Sequence, residues 1–294
     1  MTEIATAQPI DASSAPSSGQ RMRAGTKIYM YASLIIVAAI VIVPLISTAL
    51  GGFKTLGDLR GNPFGLPDEW QWANYGDIIT SQRYWLQMGN SLIIALLTVF
   101  LTLTFSGMAA FCFAHIRFFG ANYLVNYFLI GLMFPAATAI LPLYIRIRDL
   151  GLVDTYWGVV LPQVAFGMGA SIMLFRNYFR NLPSELFDAA FVDGCGYMRF
   201  FWHVTIPLSR PIIATVGIIS FVGSWNSYIL PLIMLNSESR YPWPLGIMIY
   251  KGEFSTEWQL VLAFITLTIL PTIIVFFLAQ KHIIAGLTAG AVKS

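Results

Sequence analysis

A chain of 294 residues that is 57% hydrophobic and 11% charged, with a formal net charge of +3, is far too apolar for a soluble domain, in which about a quarter of residues are charged. The composition therefore assigns it to a membrane, and no nucleic-acid partner is expected. Two cysteines, Cys112 and Cys195, fall in or near segments read below as cytoplasmic, so no disulfide framework is expected.

The first twenty residues are rich in Ser, Ala, Pro, Gln and Thr without periodicity, and residues 1–24 are expected to form a disordered cytoplasmic tail. Six stretches then follow that lack Lys, Arg, Asp and Glu: 28–53, 84–116, 118–145, 155–175, 211–237 and 258–280. Each is long enough for a helix of roughly 20 residues to cross a bilayer. Transmembrane helices are predicted at about 28–51, 88–113, 121–145, 155–176, 211–236 and 258–280. The fold class is thus all-α, a polytopic membrane protein with a single transmembrane domain over 25–294. A secretory signal peptide is the rival reading of 21–49, but its apolar run exceeds the usual 7–15 residues, which favours an uncleaved first helix. Between the first two spans, Gly61, Pro63, Gly65 and Pro67 mark an ordered external loop or short helices.

Between spans four and five lies a charged, glycine-broken segment, 180–209. Pro183 suits the first turn of a helix, and Glu185 and Asp188 suit the positive end of its dipole. Leu186, Ala189 and Ala190 recur at helical spacing and predict one apolar face, kept flat by the paired alanines. Gly194 is placed to end that helix in the left-handed conformation, after which a second short helix through Phe200, Phe201 and Val204 runs to Pro207. A partnerless amphipathic surface helix is the alternative for the first helix alone. The Asp193-Gly194 pair and the Ile206-Pro207 ending favour a docking element.

Span five carries isolated polar groups. Asn226 is an amide at bilayer depth, expected to face an aqueous path or, as the alternative, to make a helix-to-helix hydrogen bond, and Ser224, Trp225 and Tyr228 beside it complete a candidate translocation pathway, the two rings offering faces to a sugar. With the N-terminus inside, ten of the seventeen Lys and Arg fall on cytoplasmic segments and nine of the fourteen acidic residues fall outside, as the positive-inside rule requires. Both termini are then cytoplasmic. Trp70, Trp72, Trp85, Trp157, Trp243 and Trp258 fall at the outer ends of the spans, where an interfacial belt is expected.

No G-x-x-x-x-G-K-[ST] loop occurs, so any ATPase is a separate chain. His115, His203 and His282 form no metal-ligand pattern, and charge-free spans argue against an ion-coupled transporter acting alone.

The segment around Asp188 resembles the EAA loop of ABC-importer permeases: an acidic residue and two alanines, then Asp-Gly, then an aliphatic residue, one variable, and an aliphatic-Pro pair. Asp188, Ala189, Ala190, Asp193, Gly194, Val204, Ile206 and Pro207 stand at those places, with Asp188 for the usual Glu and Cys195 for the usual Ala. Together with the Ser224-Trp225-Asn226 run and the ending Gly286-Leu-Thr-Ala-Gly-Ala-Val-Lys293, the chain is similar to the MalG-type permease of carbohydrate importers. The resemblance implies a type I ABC importer permease fold in a bacterial inner membrane. Glu185, Asp188, Ala189, Ala190, Asp193, Gly194 and Pro207 would couple to an ATPase dimer at the cytoplasmic face. It also implies a MalF-like second permease, an external sugar-binding protein, no cofactor on this chain, and ATP with Mg²⁺ on the ATPase. Permeases for glycerol phosphate or an amino acid, and a lone secondary transporter, are the alternatives, and the particular sugar is not written in the sequence.

Overall fold

The computed structural model describes residues 24–252 and 255–291, with side chains omitted at Ala24, 278–279 and 281–291. The expected tail at 1–24 thus lies outside the described residues except for Ala24, which opens the first helix, and Lys293 and the end of the glycine-rich C-terminal run lie outside them too. Among the described residues the architecture is all-α, and the only extended pairing is an isolated bridge between Lys251 and Thr256. Contacts divide the chain into two units, 1–47 and 48–294. The described part of the first is an apolar stretch of α1 (Ala24–Gly51), which contains Pro44.

The second unit is built on three long helices, α4 (Gln82–His115), α7 (Tyr156–Phe179) and α14 (Trp258–Ala291), and on α11 (Arg210–Trp225). Among the described residues four helices, α1 among them, are long and apolar enough to cross a membrane, and two bent pairs bring the number to six if each pair is one span. The 34 residues of α4 extend to about 50 Å at 1.5 Å per residue, well past the hydrocarbon thickness of about 30 Å. The expected span at 88–113 is the middle of this longer rod.

Two expected spans are not straight. The third is α5 (Ala121–Leu132) and α6 (Ala136–Asp149), which meet at 105°. Met133 N–H donates to Ile130 (3.0 Å) and Phe134 N–H to Gly131 (3.3 Å), three-residue bonds that tighten and end α5. Pro135, extended at ψ 120° and without a donor, then starts the new direction. Span five is interrupted after Trp225 and resumes as α12 (Ile229–Met234), in which Pro231 cannot donate to Ser227.

Small and hydroxylated residues at three- and four-residue spacing form the buried face of α4, from Ser91, Ala95 and Thr98 to Thr102, Ser106, Gly107 and Ala110. They let α7 and α11 approach closely, which is how helices pack where lipid removes the hydrophobic contrast. One apolar core joins Phe111, Phe175, Phe179, Phe201 and Val216, a second Tyr84, Phe221, Trp225 and Phe264, and a third Ile94, Val160, Val164 and Met234.

Loops expected outside are tied to one another. Asp154, in the left-handed conformation at φ 58°, accepts from the N–H of Asn236 (3.0 Å), the N–H of Ser237 (2.9 Å) and the Ser237 hydroxyl (2.5 Å), and pairs with Arg240 at 2.6 Å. These donors hold its carboxyl down at about 2. The Asn90 amide donates to the Ser239 and Tyr241 carbonyls and accepts from the Tyr156 hydroxyl. Two short helices, α2 (Leu56–Gly61) and α3 (Trp72–Thr80), order the segment between the first two spans, where the Asn74 amide holds the Gly52 and Lys54 carbonyls. Of the six expected belt tryptophans, five are exposed, whereas Trp243 is buried and donates its backbone N–H to the Ser91 hydroxyl.

Candidate functional site

The segment between spans four and five forms α8 (Ser184–Val192), α9 (Tyr197–Phe200), a π turn over Phe201–Thr205, and α10 (Ile206–Leu208). Pro183 sits one position before α8, with φ −56° and ψ 127°, rather than in its first turn, because extended backbone is needed to bring the chain from α7 into the new helix. Gly194 has φ 74°. Its N–H reaches the Phe191 carbonyl (3.0 Å) and that of Cys195 the Ala190 carbonyl (2.8 Å), the paired bonds of a Schellman ending. The π turn precedes Pro207 by one widened turn, which accommodates a ring that would otherwise crowd the carbonyl four residues back.

The single apolar face expected of α8 is divided in two. Phe187 and Ala190 pack inward, with Phe187 stacked on His115 at 5.3 Å and edge-on to Phe200 at 4.9 Å. Leu186 and Ala189 point out, with Glu185, Asp188, Asp193 and Gly194 also exposed and Val192 88% exposed. The reason is the aromatic ring: Phe187 buries more area than either alanine, so it sets the rotation of the helix. Pro207 is exposed at the far end. A cleft of ≈ 710 Å³ separates α8 from the α4–α5 turn, and Arg117, Arg176, Arg180 and Asp188 line it.

The pathway residues read from the sequence separate. Ser224 is buried and donates to Gln163 Oε1 at 2.6 Å, while Thr98 donates to the same oxygen at 3.0 Å. Three helices, α4, α7 and α11, thus meet on one amide. Beside it lies a cavity of ≈ 340 Å³ that Ser224 and Ser227 also line. Trp225 is instead a core residue, stacked on Phe221 at 5.4 Å and donating to the Thr268 carbonyl at 3.2 Å. Asn226 is exposed and closes the end of α11 by donating to the Val222 carbonyl at 3.0 Å. Tyr228 is exposed, and none of these three lines the cavity. Gln163 went unmarked in the sequence, although an uncharged amide next to Pro162 in a predicted span is the same signal that singled out Asn226. No group of three or more His, Cys, Asp or Glu could hold a metal ion among the described residues.

A bundle with a platform of short helices and an uncharged polar junction where α4, α7 and α11 meet fits the class of membrane permeases. The family model for the inner membrane component of binding-protein-dependent transport systems matches residues 102–288, and the chain belongs to that family. It is 30% identical over 284 residues to the diacetylchitobiose uptake system permease protein NgcG of Streptomyces coelicolor, covering 96% of this chain and 93% of the relative. It is 34% identical over 261 residues to the arabinooligosaccharides transport system permease protein AraQ of Halalkalibacterium halodurans, covering 87% and 93%. A bacterial ABC transporter that imports the acidic polysaccharide alginate has the same fold, with a TM-score of 0.76 over 88% of this chain and 98% of that one at 23% identity.

Proposed function

We propose that this chain is the permease subunit of an ATP-driven importer of sugars or sugar derivatives, with residues 25–294 as its transmembrane domain. The observation that carries the coupling is α8, which is fixed to the bundle through Phe187 and Ala190 while Leu186, Ala189, Asp188 and Val192 stay exposed on its other side. That face fits the groove of a separate ATPase, which would hold ATP and Mg²⁺. The sugar reading is supported by relatives named for diacetylchitobiose and arabinooligosaccharides, and a binding-protein partner follows from the family description. A second permease would complete the path, as in any subunit that supplies half of it.

Orientation follows the charge distribution, with both termini and 176–210 at the cytoplasmic face. ATP binding would close the ATPase pair, move the coupling helices and expose the junction of α4, α7 and α11 outward, and hydrolysis would reset it. Co-purification with the ATPase and the second permease tests the reading. Wild-type chain should yield ATPase activity stimulated by the loaded binding protein, and Ala189→Glu, which places an unpaired charge in the contact, should assemble poorly. Full stimulation by that variant at equal abundance would refute docking through this face.

A further inference from the structure

The ≈ 340 Å³ cavity is bounded by α4, α7 and α11 and by both helix breaks, since Ala136 opens α6 and Ser227 lies in the gap before α12. Broken helices bordering a cavity at membrane depth are where transporters place substrate. The size lies near the lower end for small-molecule sites.

Its polar groups are unevenly used. The Gln163 oxygen already takes two hydroxyls, but its Nε2 is buried without a hydrogen-bond partner, and so is the Thr102 hydroxyl, 1% exposed. Both residues line the cavity. Because the Thr98 and Ser224 hydroxyls can donate or accept, one end of the amide stays unpartnered whichever way it is turned. Buried polar groups without partners are costly, and a clamp between helices needs only one end of the amide. The lining contains no Lys, Arg, His, Asp or Glu. Phe166, Leu174 and Val216 supply its apolar walls.

We infer that this cavity binds one unit of an uncharged, polyhydroxylated sugar, with Gln163 and Thr102 as its hydrogen-bonding groups. The inference rests on the importer reading above and narrows it to neutral substrates. A hydroxyl pairs with both orphaned groups, whereas a carboxylate would enter a charge-free cavity with no counter-ion, at a large desolvation cost. A site built to hydrogen-bond a hydroxyl also discriminates against analogues that lack it, because its own polar groups are then left unpaired.

The test uses the complete transporter in proteoliposomes, with its ATPase, second permease and binding protein. The labelled probes are diacetylchitobiose, arabinotriose, maltotriose and an alginate trisaccharide. Thr102→Val removes only the unpartnered hydroxyl, and Gln163→Glu keeps an oxygen for Thr98 and Ser224 while replacing the free amide end with a carboxylate oxygen. ATP-dependent uptake of at least one neutral probe is expected, reduced about three- to tenfold by Thr102→Val and more by Gln163→Glu. Membrane abundance should be retained by Thr102→Val, so that its loss of uptake reports the cavity, whereas Gln163→Glu, which places a carboxylate there, should also lower abundance. Uptake of the alginate probe in preference to the neutral ones, uptake of no neutral probe, or unchanged neutral uptake in both variants would overturn the inference. Uptake that does not depend on ATP would instead strike the importer reading beneath it.

Discussion

Replacing Gly194 isolates the coupling geometry from packing. At φ 74° any residue with a Cβ is strained, yet no atom lies within 4 Å of where that Cβ would stand. The penalty is therefore conformational alone, about 1–2 kcal/mol for an L-residue in the left-handed region. Asparagine tolerates the region best and a β-branched residue worst. An energy of this size shifts a local equilibrium about five- to thirtyfold, enough to depopulate the Schellman ending that joins α8 to α9 and too little to unfold a bundle whose three apolar cores are untouched. Gly194→Asn, Gly194→Ala and Gly194→Val should thus reach the membrane at near-normal abundance. Binding-protein-stimulated ATPase of the co-purified complex should fall in that order, with Val largely inactive. Equal activity across the series at equal abundance would refute the role of this turn, and an Asn variant as inactive as Val would show that bulk, not backbone strain, is what matters.

Trp225→Ala should cost about 3–5 kcal/mol as a core truncation and lower membrane abundance, whereas Trp225→Phe should keep transport, which immunoblotting and uptake would separate. Ser224→Ala removes one interhelical hydrogen bond, worth about 0.6 kcal/mol in membranes, and should lower the melting temperature in detergent only slightly. The depressed Asp154 carboxyl stabilises the folded loops around 154 and 236–241 above its unfolded value near 3.8, and that contribution should fade as pH falls toward about 2. Protection factors at 236–241, exchange rates corrected for the intrinsic pH dependence of amide exchange, should accordingly fall between pH 4 and pH 2, and unchanged protection there would contradict the network. Single cysteines placed in 176–210 of intact cells should resist a membrane-impermeant reagent, while labelling there would reverse the orientation.

Hydropathy finds apolar length but not direction, and that explains where sequence reasoning stopped. The run 121–145 has the composition of one span, and only the three-residue bonds at Met133 and Phe134, followed by Pro135, turn it through 105°. The end of α8 was legible because a glycine followed by Cys195 and preceded by a short amphipathic run leaves few backbone solutions, and φ 74° at Gly194 is the expected one. The inward face of α8 was not, since Leu186 and Phe187 have similar hydrophobicity and only the position of His115 and Phe200 selects between them. The run from Ser224 to Asn226 was rightly seen as unusual, but adjacent residues on a helix point about 100° apart. One therefore faces the Gln163 junction, one the core against Thr268, and one the helix end.

The joint at Ser209 makes the short-helix platform and span five a bell-crank. The helical segment Tyr197–Leu208 meets Arg210–Trp225 at 81°, yet backbone bonds run through the corner, from Ser209 to Thr205 at 3.0 Å and from Ile213 to Ser209 at 3.0 Å. A push on the short arm is thus delivered to the long one rather than absorbed in a loose linker. From Arg210 to Ser224 the long arm measures about 21 Å, so a rotation of about 5° at the corner would carry Ser224 through about 2 Å. The Ser224 hydroxyl lies 2.6 Å from Gln163, and a displacement of about 2 Å directed away from that oxygen exceeds the hydrogen-bond limit. A small rotation of the platform is therefore of the size that would part Ser224 from Gln163 at the opposite end of the arm.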